Sequence, residues 1–234
     1  VFAWNRLHYK DTVMSPIDSI KYMKLFLQCG FMAMDPATGE VKAWVGGIDH
    51  NYFMYDHVNL NTKRQVGSTI KPILYCFAID NGFSPCGMVS TAPQEFPTMD
   101  HPYDANEKGQ NEMGDIPMKV ALAHSVNNAA LYVLKQVGID PFVDFAHKCG
   151  ITSRMDKYPS VALGVSDISL FEMIGAYSMF PGGGMNTQPF FITKLEEKNG
   201  LLIKNFAPVQ KEVINANTAF KMIKMMRGVV NFGT

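Results

Sequence analysis

The sequence predicts an α+β fold built around one core. Short apolar segments separated by turn residues occur near both ends of the chain, and the segments between them repeat their apolar residues with a helical period. The chain has 234 residues, of which 47% are hydrophobic and 18% charged, a balance typical of globular proteins. A chain of this length buries about 70% of its unfolded surface, so its core needs no disulfide or metal.

Two β-hairpins are predicted to bracket the helical part of the chain. Their strands are Phe31–Met34, Val41–Val45, 190–195 and 201–206. Pro36 and Gly39 favour a turn in the first hairpin, and Asn199-Gly200 is a tight-turn pair in the second. If both hairpins belong to one sheet, that sheet is incomplete.

A series of helices is predicted from apolar periodicity bounded by glycine, proline or capping residues. The helical segments are 17–28, 68–80, 118–123, 128–137, 140–149, 170–180 and a last one capped by Asn217. Ser15 and Pro16 suit the start of the first helix. Lys224 and Arg227 are predicted in the final turn of the last helix, where the helix dipole favours cations. The stretch 84–115, rich in Pro, Asn, Asp and Gly, is predicted to be a long loop.

The charge and the cysteine and histidine spacing exclude several classes of function. Lys and Arg number 21 and Asp and Glu number 21, so the formal net charge is zero and a broad nucleic-acid surface is not expected. No apolar run reaches the ~18 residues of a membrane span. The four cysteines and six histidines show no metal-ligand spacing, so no metal or cofactor is expected.

The string from Gln65 to Pro72 contains a candidate nucleophile, Ser68, and a candidate base, Lys71. Residues three apart on a helix lie one turn above each other on the same face. Gly67 is predicted to let another backbone approach the Ser68 hydroxyl, and Pro72 predicts that the helix begins at about Ser68. Burial by the neighbouring apolar residues Ile70, Ile73 and Leu74 would lower the pKa of Lys71. The same pattern is also compatible with a helix cap and a solvated lysine.

Ser125-Val126-Asn127 is predicted to interrupt two helices. A hydroxyl and a carboxamide two positions apart on a non-helical link can both face one cleft, where Ser125 would relay a proton and Asn127 would hold a substrate carbonyl. The alternative is that Ser125 or Asn127 caps the helix that follows.

Taken together, the two motifs resemble those of the penicillin-recognising serine enzymes. The string Gln65-Val-Gly-Ser68-Thr-Ile-Lys71-Pro72 resembles their S-x-x-K, and Ser125-Val-Asn127 resembles their S-x-N. Further strings are similar to the transpeptidase domain of class A penicillin-binding proteins: 31–47, 119–125, 162–164, 172–177 and 228–234. The resemblance runs from about Phe31 to Thr234.

The resemblance implies a fold and a setting. The fold is the penicillin-binding/serine β-lactamase-like fold, an antiparallel sheet flanked by helices with a helical subdomain. Residues 1–28 would form an inter-domain linker with a short helix, and residues 29–234 the transpeptidase domain. The third family motif, K-[TS]-G, does not occur in the chain, so the fold is expected to be incomplete at its C-terminal strands. The parent protein is expected to carry an upstream glycosyltransferase domain and an N-terminal membrane anchor, at the periplasmic face of the inner membrane.

The resemblance also implies roles for the residues of both motifs. Ser68 would attack the D-Ala-D-Ala carbonyl of a peptidoglycan stem peptide, with Lys71 as base and with the Ser68 N–H as half of an oxyanion hole. Ser125 would transfer protons to or from the reacting nitrogen, and Asn127 and Gly67 would contribute to substrate binding. A second stem peptide would accept the acyl group, and β-lactams would acylate Ser68.

Two alternatives remain open. One is a hydrolase of the same fold, a D,D-carboxypeptidase or a β-lactamase, in which Glu172 is the best-placed carboxylate; its apolar helix instead favours a packing or capping role. The other is a catalytically incomplete binding or scaffold fragment, because the string nearest to the third motif, Lys198-Asn199-Gly200, is predicted to be a hairpin turn.

Overall fold

A computed structural model describes residues 1–97, 99–105 and 114–233, and it confirms the α+β class. The helices of this part of the chain are α1 (Pro16–Lys24), α2 (Lys71–Asp80), α3 (Met118–Ala123), α4 (Asn127–Val137), α5 (Ile139–Lys148), α6 (Leu170–Tyr177) and α7 (Ala216–Phe232). Two 3-10 turns, Gly67–Ile70 and Pro159–Leu163, accompany them. None of the described helices is both long and apolar enough to cross a membrane.

The strands are short and pair two by two in antiparallel fashion. They are β1 (Phe31–Met34), β2 (Val41–Val45), β3 (Lys63–Gln65), β4 (Met88–Val89), β5 (Ile116–Pro117), β6 (Asp167–Ser169), β7 (Met185–Thr187), β8 (Lys194–Glu196), β9 (Leu202–Asn205) and β10 (Gln210–Glu212). The two predicted hairpins are confirmed as β1–β2 and β8–β9. Within the described residues, these hairpins do not share a sheet.

Two strand pairs join distant parts of the chain. Strand β3 pairs with β6, so that Lys63 lies opposite Ser169. Strand β4 pairs with β5 across the predicted loop 84–115. That loop therefore contains a strand at Met88–Val89, and its residues 98 and 106–113 lie outside the described part of the chain.

The core is helical, and α2 passes through it. Seven of the ten residues of α2 are buried, and α2 packs against α4, α5 and α7. Lys71, the first residue of α2, is buried as well. The lysine of the S-x-x-K motif is therefore held by the core.

The boundaries of three predicted helices were wrong. Helix α1 ends at Lys24 and has no buried residue, and the buried Phe2 packs edge-on against Phe26 beyond its end. Ser15 is confirmed as its N-cap. Helix α6 ends at Tyr177, three residues earlier than predicted.

The last helix, α7, is capped by Asn215 and not by Asn217. The Asn215 side chain accepts the Thr218 N–H at 2.9 Å. The helix continues to Phe232, so the prediction that Lys224 and Arg227 lie in its final turn was also wrong. Met222 and Met225 of this helix lie deep in the core.

Candidate active site

Ser68 lies in the 3-10 turn Gly67–Ile70, directly before α2. Pro72, the second residue of α2, has no N–H to donate, and the Ser68 carbonyl accepts the N–H of Lys71 instead. The predicted start of the helix near Ser68 is confirmed, with a 3-10 turn as its first part. Ser68 itself is exposed to solvent. The turn therefore presents this serine at the surface, while Ile70 and Lys71 are already buried.

The explanation that the sequence suggested for Gly67 was wrong. A Cβ atom on Gly67 would meet nothing within 4 Å, so no close approach requires a glycine there. The requirement is conformational, because its φ of +54° is disfavoured for residues with a side chain. The close approach occurs at Gly164, whose carbonyl accepts the Gly67 N–H at 2.9 Å and whose Cβ would overlap the Gly67 carbonyl oxygen.

Lys71 is buried, as the sequence predicted. Its exposure is 1%, and its neighbours Ile70, Ile73 and Leu74 are fully buried. Burial lowers the pKa of Lys71 to about 8, because an ammonium loses hydration when it leaves water. A larger share of the molecules then carries a neutral amine near neutral pH than for an ordinary lysine.

The structure brings Lys71, Ser125 and Asn127 together. Lys71 Nζ donates to the Ser125 carbonyl oxygen at 2.6 Å, to Ser125 Oγ at 3.0 Å and to Asn127 Oδ1 at 2.6 Å. These three acceptors match the three protons of an ammonium. Among the described residues, Lys71 makes no hydrogen bond to the Ser68 hydroxyl, so the ammonium faces the second motif.

The link between α3 and α4 is shaped by Ser125, whose φ is +52°. Such a left-handed conformation is uncommon for a residue other than glycine, and its carbonyl is held by Lys71. The N-cap of α4 is Val126, and no side chain caps it, so the capping alternative for Ser125 and Asn127 was wrong. The Asn127 amide instead donates to the Ala105 carbonyl at 2.9 Å.

Glu172 is confirmed as a capping carboxylate. It forms a capping box with Ser169 at the start of α6 and also accepts hydrogen bonds from the N–H and hydroxyl groups of Thr152 and Ser153. Burial alone would raise the pKa of Glu172. The hydrogen bonds from Ser153, Ser169 and Thr152 outweigh burial and lower this pKa to about 2. Glu172 is therefore a saturated structural anion.

The string Lys198-Asn199-Gly200 lies in the turn between β8 and β9, as predicted. Asn199 Oδ1 accepts the Leu201 N–H at 2.9 Å, and Gly200 has a φ of +87°. These are features of a hairpin turn and not of a strand beside a cleft.

One contact with the Ser68 turn could not be predicted from the sequence. Tyr177 Oη donates to the Thr69 carbonyl at 2.6 Å across 108 positions of the chain. A contact between distant segments leaves no spacing or periodicity in the sequence, so only the fold reveals it. Within the described residues, no cluster of three or more His, Cys, Asp or Glu side chains could hold a metal ion.

The chain belongs to the penicillin-binding proteins. Residues 29–234 match the family described as penicillin binding protein transpeptidase domain, and residues 1–27 match the penicillin-binding protein middle domain. Together with its relatives, the match identifies a transpeptidase domain of the class A kind.

Two relatives illustrate the similarity. Penicillin-binding protein 2D of Bacillus subtilis is 34% identical over 206 residues, which are 87% of this chain and 30% of that protein. Penicillin-binding protein 1A of Aquifex aeolicus is 30% identical over 210 residues, 89% of this chain and 29% of its own length. The chain thus spans about three tenths of the length of these relatives.

Solved structures show the same fold. Penicillin-binding protein 1A from Haemophilus influenzae superposes with a TM-score of 0.80 at 20% identity, covering 88% of this chain and 36% of that one. An imipenem acyl-enzyme complex of penicillin-binding protein A from M. tuberculosis superposes with a TM-score of 0.73 at 15% identity, covering 86% of this chain and 57% of that one.

Proposed function

We propose that this chain provides the catalytic serine of a peptidoglycan D,D-transpeptidase, with Ser68 as nucleophile. The observation that carries the proposal is the buried Lys71, three residues after Ser68, whose pKa is lowered to about 8 and whose Nζ donates to the Ser125 hydroxyl. A lysine of this kind can exchange protons with hydroxyl groups near neutral pH. The family match to residues 29–234 supports the assignment.

The first step requires a neutral Lys71. An ammonium donates all three protons to Ser125 and Asn127, whereas a neutral amine keeps two N–H groups and gains a lone pair. The lone pair takes the Ser68 proton while Ser68 Oγ bonds to the D-Ala-D-Ala carbonyl carbon. The bond from that carbon to the terminal D-Ala nitrogen then breaks, and the nitrogen takes a proton from the Ser125 hydroxyl. Lys71 then gives a proton to Ser125.

The second step runs the same proton path in reverse. The amine of a second stem peptide attacks the acyl carbon, the bond to Ser68 Oγ breaks, and Ser68 regains a proton. The product is a peptide cross-link, and the lysine ends in its initial state. Because Ser125 Oγ is 3.0 Å from Lys71 Nζ, one hydrogen bond is sufficient for each proton transfer between them.

Asn127 is proposed to orient the substrate. One N–H of its amide donates to the Ala105 carbonyl, and its oxygen accepts from Lys71. An amide has two N–H groups, so the second can donate to a substrate carbonyl. The Ser68 N–H is proposed as one oxyanion donor, and Gly67 is proposed to shape the backbone that presents it.

β-Lactams are proposed to acylate Ser68. Support comes from the M. tuberculosis neighbour, whose structures are titled as acyl-enzyme complexes with imipenem and penicillin G. A D,D-carboxypeptidase would use the same acyl-enzyme with water as acceptor. A β-lactamase that relies on Glu172 is disfavoured, because that carboxylate is already saturated by hydrogen bonds.

The cellular setting is proposed from the class A relatives. We expect a glycosyltransferase domain and a membrane anchor upstream in the gene product, with the transpeptidase domain on the periplasmic face of the inner membrane. Stem peptides are its proposed partners, and no cofactor is needed by the proton path described above.

Labelling of the full-length gene product with a fluorescent penicillin tests the proposal. Ser68→Ala is expected to abolish covalent labelling, whereas the exposed Ser84→Ala should label like the wild type. Equal labelling of the Ser68→Ala variant would refute the assignment of the nucleophile. Mass spectrometry of the peptide that carries Ser68 would locate the adduct.

A further inference from the structure

The turn that carries Ser68 has an unusual backbone. Within six residues it combines a left-handed Gly67, a 3-10 turn and Pro72, which has no N–H to donate. Its local bonds include those from Thr69, whose N–H and hydroxyl both reach the Val66 carbonyl. Contacts from other parts of the chain add to these local bonds and help to fix the shape of the turn.

Hydrogen bonds to a distant segment hold this turn on both sides of Ser68. Before the serine, the Gly67 N–H donates to the Gly164 carbonyl at 2.9 Å. After it, the Thr69 carbonyl accepts the Tyr177 hydroxyl at 2.6 Å. The segment from Gly164 to Tyr177 thus acts as a frame that contacts both neighbours of the nucleophile.

The frame itself is firmly held. Helix α6 begins at the Glu172 capping box, where the carboxylate also ties down Thr152 and Ser153, and Tyr177 is the last residue of that helix. Glu172 and Tyr177 are five residues apart, or about 7.5 Å along a helix. The Tyr177 hydroxyl is therefore attached to a short, rigid element with a fixed starting point.

The ring and the hydroxyl of Tyr177 have different surroundings. The ring lines an open cleft of about 540 Å³ whose lining is mainly apolar, while the hydroxyl is directed to the Thr69 backbone. Burial raises the pKa of Tyr177, so the hydroxyl keeps its proton and remains a donor. Removing the hydroxyl alone should therefore release the turn without emptying the space that the ring fills.

We infer that Tyr177 is a positioning residue for the nucleophile, and that its hydroxyl holds the Thr69 carbonyl so that Ser68 is presented to the acyl donor. The inference rests on the proposed function of Ser68. Catalysis of acyl transfer depends on the placement of the attacking atom, and small displacements cost large factors in rate. The noncovalent affinity for the acyl donor should depend much less on this contact.

The test is the acylation kinetics of the full-length gene product with a fluorescent penicillin. Tyr177→Phe is expected to lower the acylation rate constant about tenfold, with the apparent dissociation constant of the noncovalent complex unchanged within about twofold. The matched control is Tyr158→Phe, because Tyr158 is 65% exposed and its hydroxyl bonds to none of the described residues. It should match the wild type in both constants.

A second variant separates positioning from folding. Tyr177→Leu removes the ring as well and should lower the thermal midpoint, whereas Tyr177→Phe should retain that midpoint and still acylate slowly. Acylation at the wild-type rate by Tyr177→Phe would overturn the inference. So would a decrease in its acylation rate that is fully explained by the fraction of unfolded protein. Neither result would affect the assignment of Ser68, which depends on the loss of labelling in Ser68→Ala.

Discussion

Lys71 Nζ lies 3.0 Å from Ser125 Oγ, although the two residues are 54 positions apart. The contact joins the buried end of α2 to the left-handed link before α4, and it connects the two motifs through one ammonium group. Proton transfer between the motifs therefore depends on the protonation state of Lys71, which makes the pH dependence of the reaction predictable.

The acylation rate should rise with pH and level off above about 8, because the pKa of Lys71 is lowered to about 8 by burial and only the neutral amine can accept the Ser68 proton. Lys71→Arg keeps the charge but cannot deprotonate, so acylation should fall by about 100-fold or more. Stopped-flow measurements with a chromogenic β-lactam from pH 6 to 10 would test both. Lys135→Arg on the exposed side of α4 is the control. A flat pH profile would contradict the proposed base.

Two substitutions of Ser125 should separate its hydroxyl from its backbone. Ser125→Gly and Ser125→Ala both remove the hydroxyl, so both should slow acylation by about 100-fold. Only alanine is strained at a φ of +52°, so Ser125→Ala should lose about 1 kcal/mol more of unfolding free energy than Ser125→Gly. Acylation kinetics and urea unfolding measure the two effects. If both variants react at the wild-type rate, Ser125 does not relay protons.

Glu172 should make the protein sensitive to acid. The pKa of Glu172 is lowered to about 2 in the folded chain, from 4.5 in the unfolded chain, so its contribution to stability is present above pH 4.5 and is lost as the pH falls towards 2. Glu172→Gln should remove this pH dependence and lower the free energy of unfolding by about 2 kcal/mol at pH 7, because a neutral amide replaces a saturated anion. Urea unfolding at pH 3, 5 and 7 would measure it, with the exposed Glu212→Gln as control. If Glu172→Gln and Glu212→Gln lose stability equally between pH 7 and pH 3, Glu172 is not the source of the acid sensitivity.

The two glycines around the nucleophile turn should differ in their tolerance of alanine. Gly67→Ala meets open space and should cost only about 1 kcal/mol for its positive φ. Gly164→Ala also has a positive φ, and its methyl group would overlap the Gly67 carbonyl, so it should cost about 3 kcal/mol and slow acylation. Thermal unfolding and penicillin labelling provide the comparison. Equal effects at both positions would show that the approach of Gly164 to Gly67 is unimportant.

The Tyr75 hydroxyl should be dispensable. Tyr75 is fully buried, and its hydroxyl has no hydrogen-bond partner in the described part of the chain. Burying an unpaired hydroxyl costs free energy, so Tyr75→Phe should be neutral or should stabilise the protein by about 1 kcal/mol. Urea unfolding would measure this change, with Tyr132→Phe as a half-buried control. A loss of more than 1 kcal/mol would indicate a partner for this hydroxyl.

Features of the fold and site that depend on residues close together in the chain were predictable from the sequence. Lys71 is buried together with Ile70, Ile73 and Leu74, as their positions beside it in the chain imply. A capping role was one of the two roles that the apolar helix around Glu172 suggested, and the capping box confirms it. In each case the residues that decide the outcome are close together in the chain.

Features decided by distant contacts could not be predicted. Asn215 and Asn217 satisfy the local rule for a cap equally well, and the choice is made by Asp80, which accepts hydrogen bonds from Asn215 and Thr218. The sequence predicted a close backbone approach at Gly67. The glycine that requires the close approach is Gly164, which is almost one hundred positions away in the sequence and could not be linked to Gly67 without the fold. The Tyr177 contact escaped prediction for the same reason.

The separation of Thr69 and Tyr177 in the sequence also has a consequence for biosynthesis. The two residues are 108 positions apart. At about 5–20 residues per second, a ribosome needs roughly 5–20 s to add the segment that completes the nucleophile turn. Until that segment is complete the turn lacks Tyr177, and for most of the interval it also lacks Gly164, so a nascent chain already carries Ser68 without both of the contacts that hold its turn. Competence for acylation should therefore arise late in synthesis, after residue 177 has left the ribosome.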